Sequence, residues 1–245
     1  MILRVRMNPI HVPSPIDIRE VSTAELPTVV DIQRAGFYQD EPDRDVHQLE
    51  ADLSAGSTLL GAYNGSELIG YVQHFPRDGW LWSQTAVFLP EFQGRGFGYT
   101  LKMAQRQWAL MRGYRIIRWR YNPRRTRNAM LNLAKLGGQV FEVEPHEHPG
   151  RGVFNYFHVT WGLDAQPKAD FPGHAVNAFS TGRFCAAEFF RLPVPLIDRV
   201  SDQPDWNPVI RRVSDVLVAT GDYAVVSFRL SPDDRRFGEY LFARR

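Results

Sequence analysis

Phe88-Leu89-Pro90-Glu91-Phe92-Gln93-Gly94-Arg95-Gly96-Phe97-Gly98 is the stretch of this 245-residue chain whose reading decides the fold. Before it, Trp80–Leu89 is rich in aromatic and β-branched residues and reads as a strand. After it, Tyr99–Met111 carries apolar residues at helical spacing (Leu101, Ala104, Trp108, Met111), and Gly113 closes the helix. A glycine-rich turn between a strand and a helix leaves room for successive backbone N–H groups to face one concave site. The helix adds unpaired N–H groups and the positive end of its dipole. Together these form a cradle for a pyrophosphate, to which Arg95 adds charge-assisted hydrogen bonds. The order G-x-G-x-G is not the dinucleotide fingerprint G-x-G-x-x-G, and no G-x-x-x-x-G-K-[ST] string exists. A purely structural turn is the remaining alternative.

Working outward, Ile16–Val21 alternates as a strand, and Ser22 or Thr23 caps a helix over Ala24–Ala35 with Glu25 in its first turn. A loop over Gln39–Asp45 leads to a helix over Val46–Ala55. Two strands, Thr58–Tyr63 and Leu68–Phe75, flank Asn64-Gly65, a strong local signal for a hairpin. Pro76–Gly79 turns the chain into Trp80–Leu89, completing a meander. Downstream, Arg115–Tyr121 is a strand, Thr126–Leu136 a helix ended by Gly137-Gly138, and Gln139–Val143 and Val153–Leu163 are strands around a polar loop, Glu144–Gly152. The fold class is α/β, a mixed sheet with the order β-α-α-β-β-β-α-β-α-β-β.

Composition limits the function classes. With 44% hydrophobic and 23% charged residues the chain matches an ordinary globular protein. A net charge of +2 gives no global signature of a polyanion binder. No apolar run approaches the roughly 20 residues of a membrane span, and the N-terminus lacks the apolar core of a secretory signal. The single cysteine, Cys185, excludes an internal disulfide. These features lead to the expectation of a cytoplasmic protein. His146-x-His148 offers two metal ligands where a site needs three or four, so no metal is expected. The basic run Arg112–Arg127, with Trp119 and Tyr121 interleaved, invites a nucleic-acid reading. Strand alternation instead separates Arg118 and Arg120 from Trp119, and nucleic acid is not the expected partner.

Gln93-x-x-Gly96-x-Gly98, after a strand ending in Phe88-x-Pro90, resembles the coenzyme A loop of the GNAT superfamily of acyl-CoA N-acyltransferases. The order of elements from Ile16 to Leu163 resembles that fold as well, so the likeness covers about two thirds of the chain. Asn128-Ala129 and Lys135-Leu136-Gly137 are similar to the family's next helix, where an asparagine often contacts the cofactor. The resemblance implies an acetyltransferase using acetyl-CoA or another acyl-CoA as cosubstrate, with a small amine as acceptor. It implies that Ala86, Val87 and Phe88 receive the pantetheine arm. It likewise assigns Gln93, Gly94, Arg95, Gly96, Phe97 and Gly98 to the pyrophosphate, with Asn128 beside them. Attack by a neutral amine held against the thioester then needs chiefly positioning and an oxyanion donor near Phe88.

Two positions depart from the family pattern. Leu133 stands where a tyrosine often protonates the leaving thiolate, and Trp82 stands where some relatives carry a carboxylate base. Tyr121 is the substitute acid, with Asn132 also nearby, and Glu41, His74, His146 and Glu147 are the candidate bases. A catalytically silent acyl-CoA-binding module is therefore the alternative function.

The domain expectation is an N-terminal extension (1–14), the acyltransferase domain (15–163), a connection (164–182) and a C-terminal extension (183–245). The extension, with strand-like Phe184–Leu196, a helix at Pro208–Thr220 and a strand at Tyr223–Leu230, is too small to fold well alone. It packs on the main domain or on a partner subunit, as in a homodimer. Its Leu192–Pro195 and Gly221–Tyr223 strings are similar to a poorly characterised branch of the same superfamily.

Overall fold

A computed structural model describes residues 16–36, 44–123, 125–148, 152–164, 176–177, 189–195, 221–234 and 236–245. The chain divides into two compact units, residues 1–73 with 85–105, and residues 74–84 with 106–245.

In the first unit, β1 (Asp17–Glu20) pairs antiparallel with β2 (Thr58–Asn64), Asp17 opposite Tyr63 and Glu20 opposite Leu60. The Glu25 carboxylate accepts from the Ser22 N–H (2.9 Å) and hydroxyl (2.7 Å), fixing the 3-10 turn Thr23–Glu25 that leads into α1 (Leu26–Gly36). Asp45 caps α2 (Val46–Ser54) through a reciprocal pair of 2.9 Å bonds with Gln48. Asn64-Gly65 forms the expected hairpin turn, with Gly65 at φ 63°, between β2 and β3 (Glu67–Arg77). The strand order is β1-β2-β3-β4, where β4 is Trp80–Phe88. Leu26, Val29, Ile32, Leu49, Leu59, Tyr63, Tyr71 and Val87 form its core. Tyr71 places its hydroxyl on the buried Gln33 side chain at 2.9 Å, so its polar end is satisfied inside that core.

After β4 and the glycine turn comes α3 (Phe97–Met111), two residues longer at its start than periodicity suggested. In the second unit β5 (Ile116–Tyr121) runs parallel to β4 over two pairs, Leu81 opposite Ile117 and Trp82 opposite Arg118. On its other side β5 pairs antiparallel with β7 (Gly152–Gly162), which pairs with β6 (Gln139–His148). The order continues β10 (Tyr223–Leu230), β11 (Phe237–Arg244), β9 (Phe189–Pro195) and β8 (Val176–Asn177). The β6–β10 join is brief, at Val225 opposite Val140. An aromatic cluster of Tyr121, Phe157, Phe228 and Tyr240 lies inside, and Tyr240 donates to the Pro123 carbonyl at 2.6 Å. Glu239 is 2% exposed, and Arg229 (2.7 Å) and Arg191 (3.5 Å) neutralise it.

Three expectations are corrected here. The polar loop Glu144–Gly152 is mostly ladder, with His148 opposite Gly152. Pro145 stands in this ladder opposite Asn155, beyond the single β10 pair at Val140. The helix Thr126–Leu136 is one α-turn, α4 (Thr126–Ala129), continued by a π-helical segment, Met130–Lys135. Strand β11 was not anticipated. The helix expected at Pro208–Thr220 lies outside the described residues, as do residues 1–15 and most of the connection 164–182. Among the described residues no helix is long and apolar enough to cross a membrane.

Candidate active site

The first unit gathers Ala86, Val87, Phe88 and Gln93–Gly98 into one arc. Val87 and Phe88, on opposite faces of the strand, are both buried, while Ala86 is exposed. The end of α1 comes so close that a Cβ on Gly36 would lie 2.3 Å from Val87 Cγ2 and 2.7 Å from the Phe88 carbonyl oxygen. Gly70 makes the matching room on the other side, since its Cβ would fall 2.3 Å from the Phe88 ring. Phe88 stacks on Phe97 with centroids 6.1 Å apart, and Phe92 tilts against Phe97 at 6.3 Å. These rings anchor the first turn of α3 to the end of β4.

Between them the backbone turns back on itself. Gly94 has φ 74° and Gly96 φ 90°, in the left-handed region that favours glycine. The Gln93 side chain donates to the Phe88 carbonyl at 2.8 Å and to the Gly36 carbonyl at 3.4 Å, tying the loop to β4 and α1. Among the described residues, no protein carbonyl receives the N–H groups of Gly94, Arg95 or Gly96. No acidic residue occupies the first turn of α3, and Arg95 lies over the Phe92 ring at 5.6 Å. A bare row of N–H groups with a helix N-terminus and an arginine is chemically fit for a pyrophosphate.

The remaining expected residues belong to the second unit. Asn128 is half-buried in α4. His74 is fully buried, its ring edge-on to Trp108 at 4.3 Å. Tyr121 is 5% exposed, packed edge-on to Phe157. Its hydroxyl has no hydrogen bond of good geometry, and burial, with the neighbouring Tyr240, pushes its pKa well above 10. Both are interior side chains. Leu133 is fully buried and Asn132 nearly so. Glu41 and the side chains of His146 and Glu147 lie outside the described residues.

Sequence reasoning missed a polar cluster on one face of β5, β6 and β7. His158 Nε2 lies 2.7 Å from Glu144 Oε2, and Arg120 donates to both Glu144 oxygens at 3.0 and 3.2 Å. Burial raises the Glu144 pKa, but the bonds from His158 and Arg120 outweigh it and hold the carboxyl below its ordinary value. The His158 ring is 6.0 Å from Trp82, and Arg118 lies over Trp80 at 5.0 Å. The available signal was the alternation Arg118-x-Arg120 beside His158-x-Thr160, but the register joining them is not visible in one sequence. Trp82 itself spends its indole N–H on Gln84 at 2.6 Å.

Comparison with known proteins bears on the fold. Residues 26–137 match the model of the acetyltransferase (GNAT) family. That match likens a little under half of the chain to the GNAT acetyltransferases. Among solved structures, the ribosomal-protein-S18-alanine N-acetyltransferase of Escherichia coli aligns with TM-score 0.55 at 11% identity, over 64% of this chain and all of its own. The protein yncA of Salmonella typhimurium, solved with its cofactor acetyl-CoA, aligns with TM-score 0.52 at 18% identity, over 65% and 100%. The ribosomal-protein-alanine N-acetyltransferase of Brucella melitensis aligns with TM-score 0.52 at 17% identity, over 60% and 99%. At these identities the structures establish a shared fold. No curated protein is similar enough to match the chain.

Proposed function

We propose that this protein binds acetyl-CoA along β4 and the Gln93–Gly98 loop and directs acetyl transfer to the amine of a small molecule or amino acid. The observation that carries the proposal is the row of uncommitted N–H groups at Gly94–Gly96, built by two positive-φ glycines and tied to Phe88 by Gln93. Bound acetyl-CoA supplies an acetyl group activated as a thioester. The chain's own part is binding and orientation. Gly94–Gly96, the start of α3 and Arg95 take the pyrophosphate. The main chain of Ala86–Phe88 takes the arm that follows. Among the described residues the β4–β5 ladder contains two residue pairs, Leu81 opposite Ile117 and Trp82 opposite Arg118. Residues 15–163 form the acyltransferase domain in this proposal, and 183–245 an extension.

We place nucleic acid outside the partners because the basic run is engaged locally. Arg112 lies over Trp108, Arg115 pairs with Asp164, Arg118 lies over Trp80 and Arg120 is held by Glu144. The test is release of free thiol from acetyl-CoA across a panel of small amines and amino acids. Amine-dependent release supports the proposal. Binding of acetyl-CoA with no release by any amine supports the silent-module alternative, which the fully buried Leu133 favours.

A further inference from the structure

We infer that one face of the second unit, built on Trp80, Trp82, Arg118 and His158, binds a planar aromatic ring that carries a carboxylate. Alternation assigns the two faces of the sheet that the first part of β4 makes with β5 and β7. Leu81, Ile117, Trp119, Tyr121, Phe157 and Val159 take the inner face and are buried. Trp80, Trp82, Arg118, Arg120, His158 and Thr160 take the other, and each is half-buried or exposed. There Trp80 stands edge-on to Trp82 at 6.3 Å, and Trp82 lies against His158 at 6.0 Å. The three rings form a row that reaches from β4 across β5 to β7. A contiguous aromatic patch left partly open and rimmed by polar side chains marks a site of interaction.

Arg118 supplies the charge. Its guanidinium lies over the Trp80 ring at 5.0 Å, and among the described residues it makes no ion pair or hydrogen bond. Stacking engages the flat face of a guanidinium and leaves its edge N–H donors, which fit a carboxylate two at a time. The neighbouring arginine is already neutralised. Arg120 donates to Glu144 at 3.0 and 3.2 Å, and the same carboxylate meets His158 Nε2 at 2.7 Å. Glu142, exposed and opposite His158 in register, adds a negative charge to the neighbourhood. One available cation with carboxylates close by suits a single negative charge and disfavours a polyphosphate. The Trp82 N–H is engaged by Gln84 at 2.6 Å, so this indole offers a ligand its π surface. Trp82 and Arg118 are register partners, which lets one small molecule lay its ring on the indole and its carboxylate on the guanidinium edge. The rings and Arg118 hold one another in place, so little ordering remains for the ligand to impose. Every group in this site belongs to the second unit, and the inference stands apart from the cofactor reading.

The test is a titration of the full chain with naphthoate, followed through the indole N–H signals of Trp80 and Trp82 in proton–nitrogen spectra. Each signal is assigned by its loss in Trp80→Phe or Trp82→Phe. Both should move with naphthoate. Naphthamide lacks the charge and cyclohexanecarboxylate lacks the aromatic ring, and each should bind more weakly. Arg118→Gln should raise the naphthoate Kd roughly 10- to 100-fold, the worth of a charge-assisted hydrogen bond. Arg118→Lys should restore only part of the affinity, because an ammonium lacks the planar fork. Trp82→Leu should raise the Kd about 2- to 10-fold through the lost ring contact. Arg115→Gln, which removes a side chain paired with Asp164, should change nothing. Indole signals unmoved by millimolar naphthoate overturn the inference. So does a Kd that Arg118→Gln leaves unchanged, or cyclohexanecarboxylate binding as tightly as naphthoate. Tighter binding of naphthyl phosphate than of naphthoate overturns the assignment of a carboxylate.

Discussion

The two units of this protein build their candidate sites in different ways. In the first, the residues at the candidate cofactor site contribute main chain: Gly94 and Gly96 turn peptide groups outward, and Gln93 ties the turn in place. In the second, the polar cluster consists of side chains from separate strands, Arg120, Glu144 and His158, that meet only because of register. A backbone site needs glycine at fixed spacing and a following helix. A side-chain site needs several strands to align correctly.

The sharpest way to break the backbone half of that contrast is Gly96→Asp. It sets a carboxylate among N–H groups meant for an anion and should abolish acetyl-CoA binding. Nothing lies within 4 Å of the added Cβ, but φ is 90°, so the folded state should lose roughly 1–2 kcal/mol from backbone strain. Gly96→Ala separates the two effects: the strain remains and the repulsion does not. Calorimetric titration with acetyl-CoA, alongside urea unfolding, reads both. Normal binding by Gly96→Asp would place the pyrophosphate elsewhere.

Leu133 sharpens the other half. It is fully buried, so Leu133→Ala should cost about 2–5 kcal/mol by leaving a cavity. The remaining folded fraction should keep its turnover per molecule. A large loss of kcat at unchanged stability would instead give this position a role in chemistry.

A further effect is a pH slope in the first unit. Lys102 on α3 is 4% exposed, with Gln105 accepting from its amine at 3.0 Å, and burial pushes its pKa down to about 7. The unfolded chain, with an ordinary lysine near 10.5, holds the proton where the folded chain has released it. Folding stability from this group is therefore lowest below pH 7 and rises as pH climbs from about 7 toward 10.5. Urea midpoints at pH 6 and pH 9 should differ in that sense, and Lys102→Met should flatten the difference. An unchanged slope in the variant would assign it to other groups.

What was legible in the sequence follows the same division. The strand–glycine turn–helix could be read because each part has a local signal, and the first five strands were placed to within a few residues. Pro145 and the charged residues after it read as breakers and put Glu144 in a loop, whereas the ladder with β7 absorbs them. His158 was placed on a strand, but nothing local says that its neighbour across the sheet is a carboxylate. Strand β11 was missed because Glu239 interrupts an otherwise apolar run; the structure shows that carboxylate neutralised by arginines on the two adjoining strands. The π-helical turn at Met130–Lys135 likewise has no sequence signal we can name.

The central claim is that the arc from Ala86 to Gly98 binds an acyl-CoA. Its most direct test is the thermal shift of the full chain with acetyl-CoA, longer acyl-CoAs and free coenzyme A. At a hundredfold excess over Kd, a ligand should stabilise the protein by about 2.7 kcal/mol, and Gly96→Asp should lose that shift. A folded protein whose melting is unmoved by every one of these compounds would contradict the account.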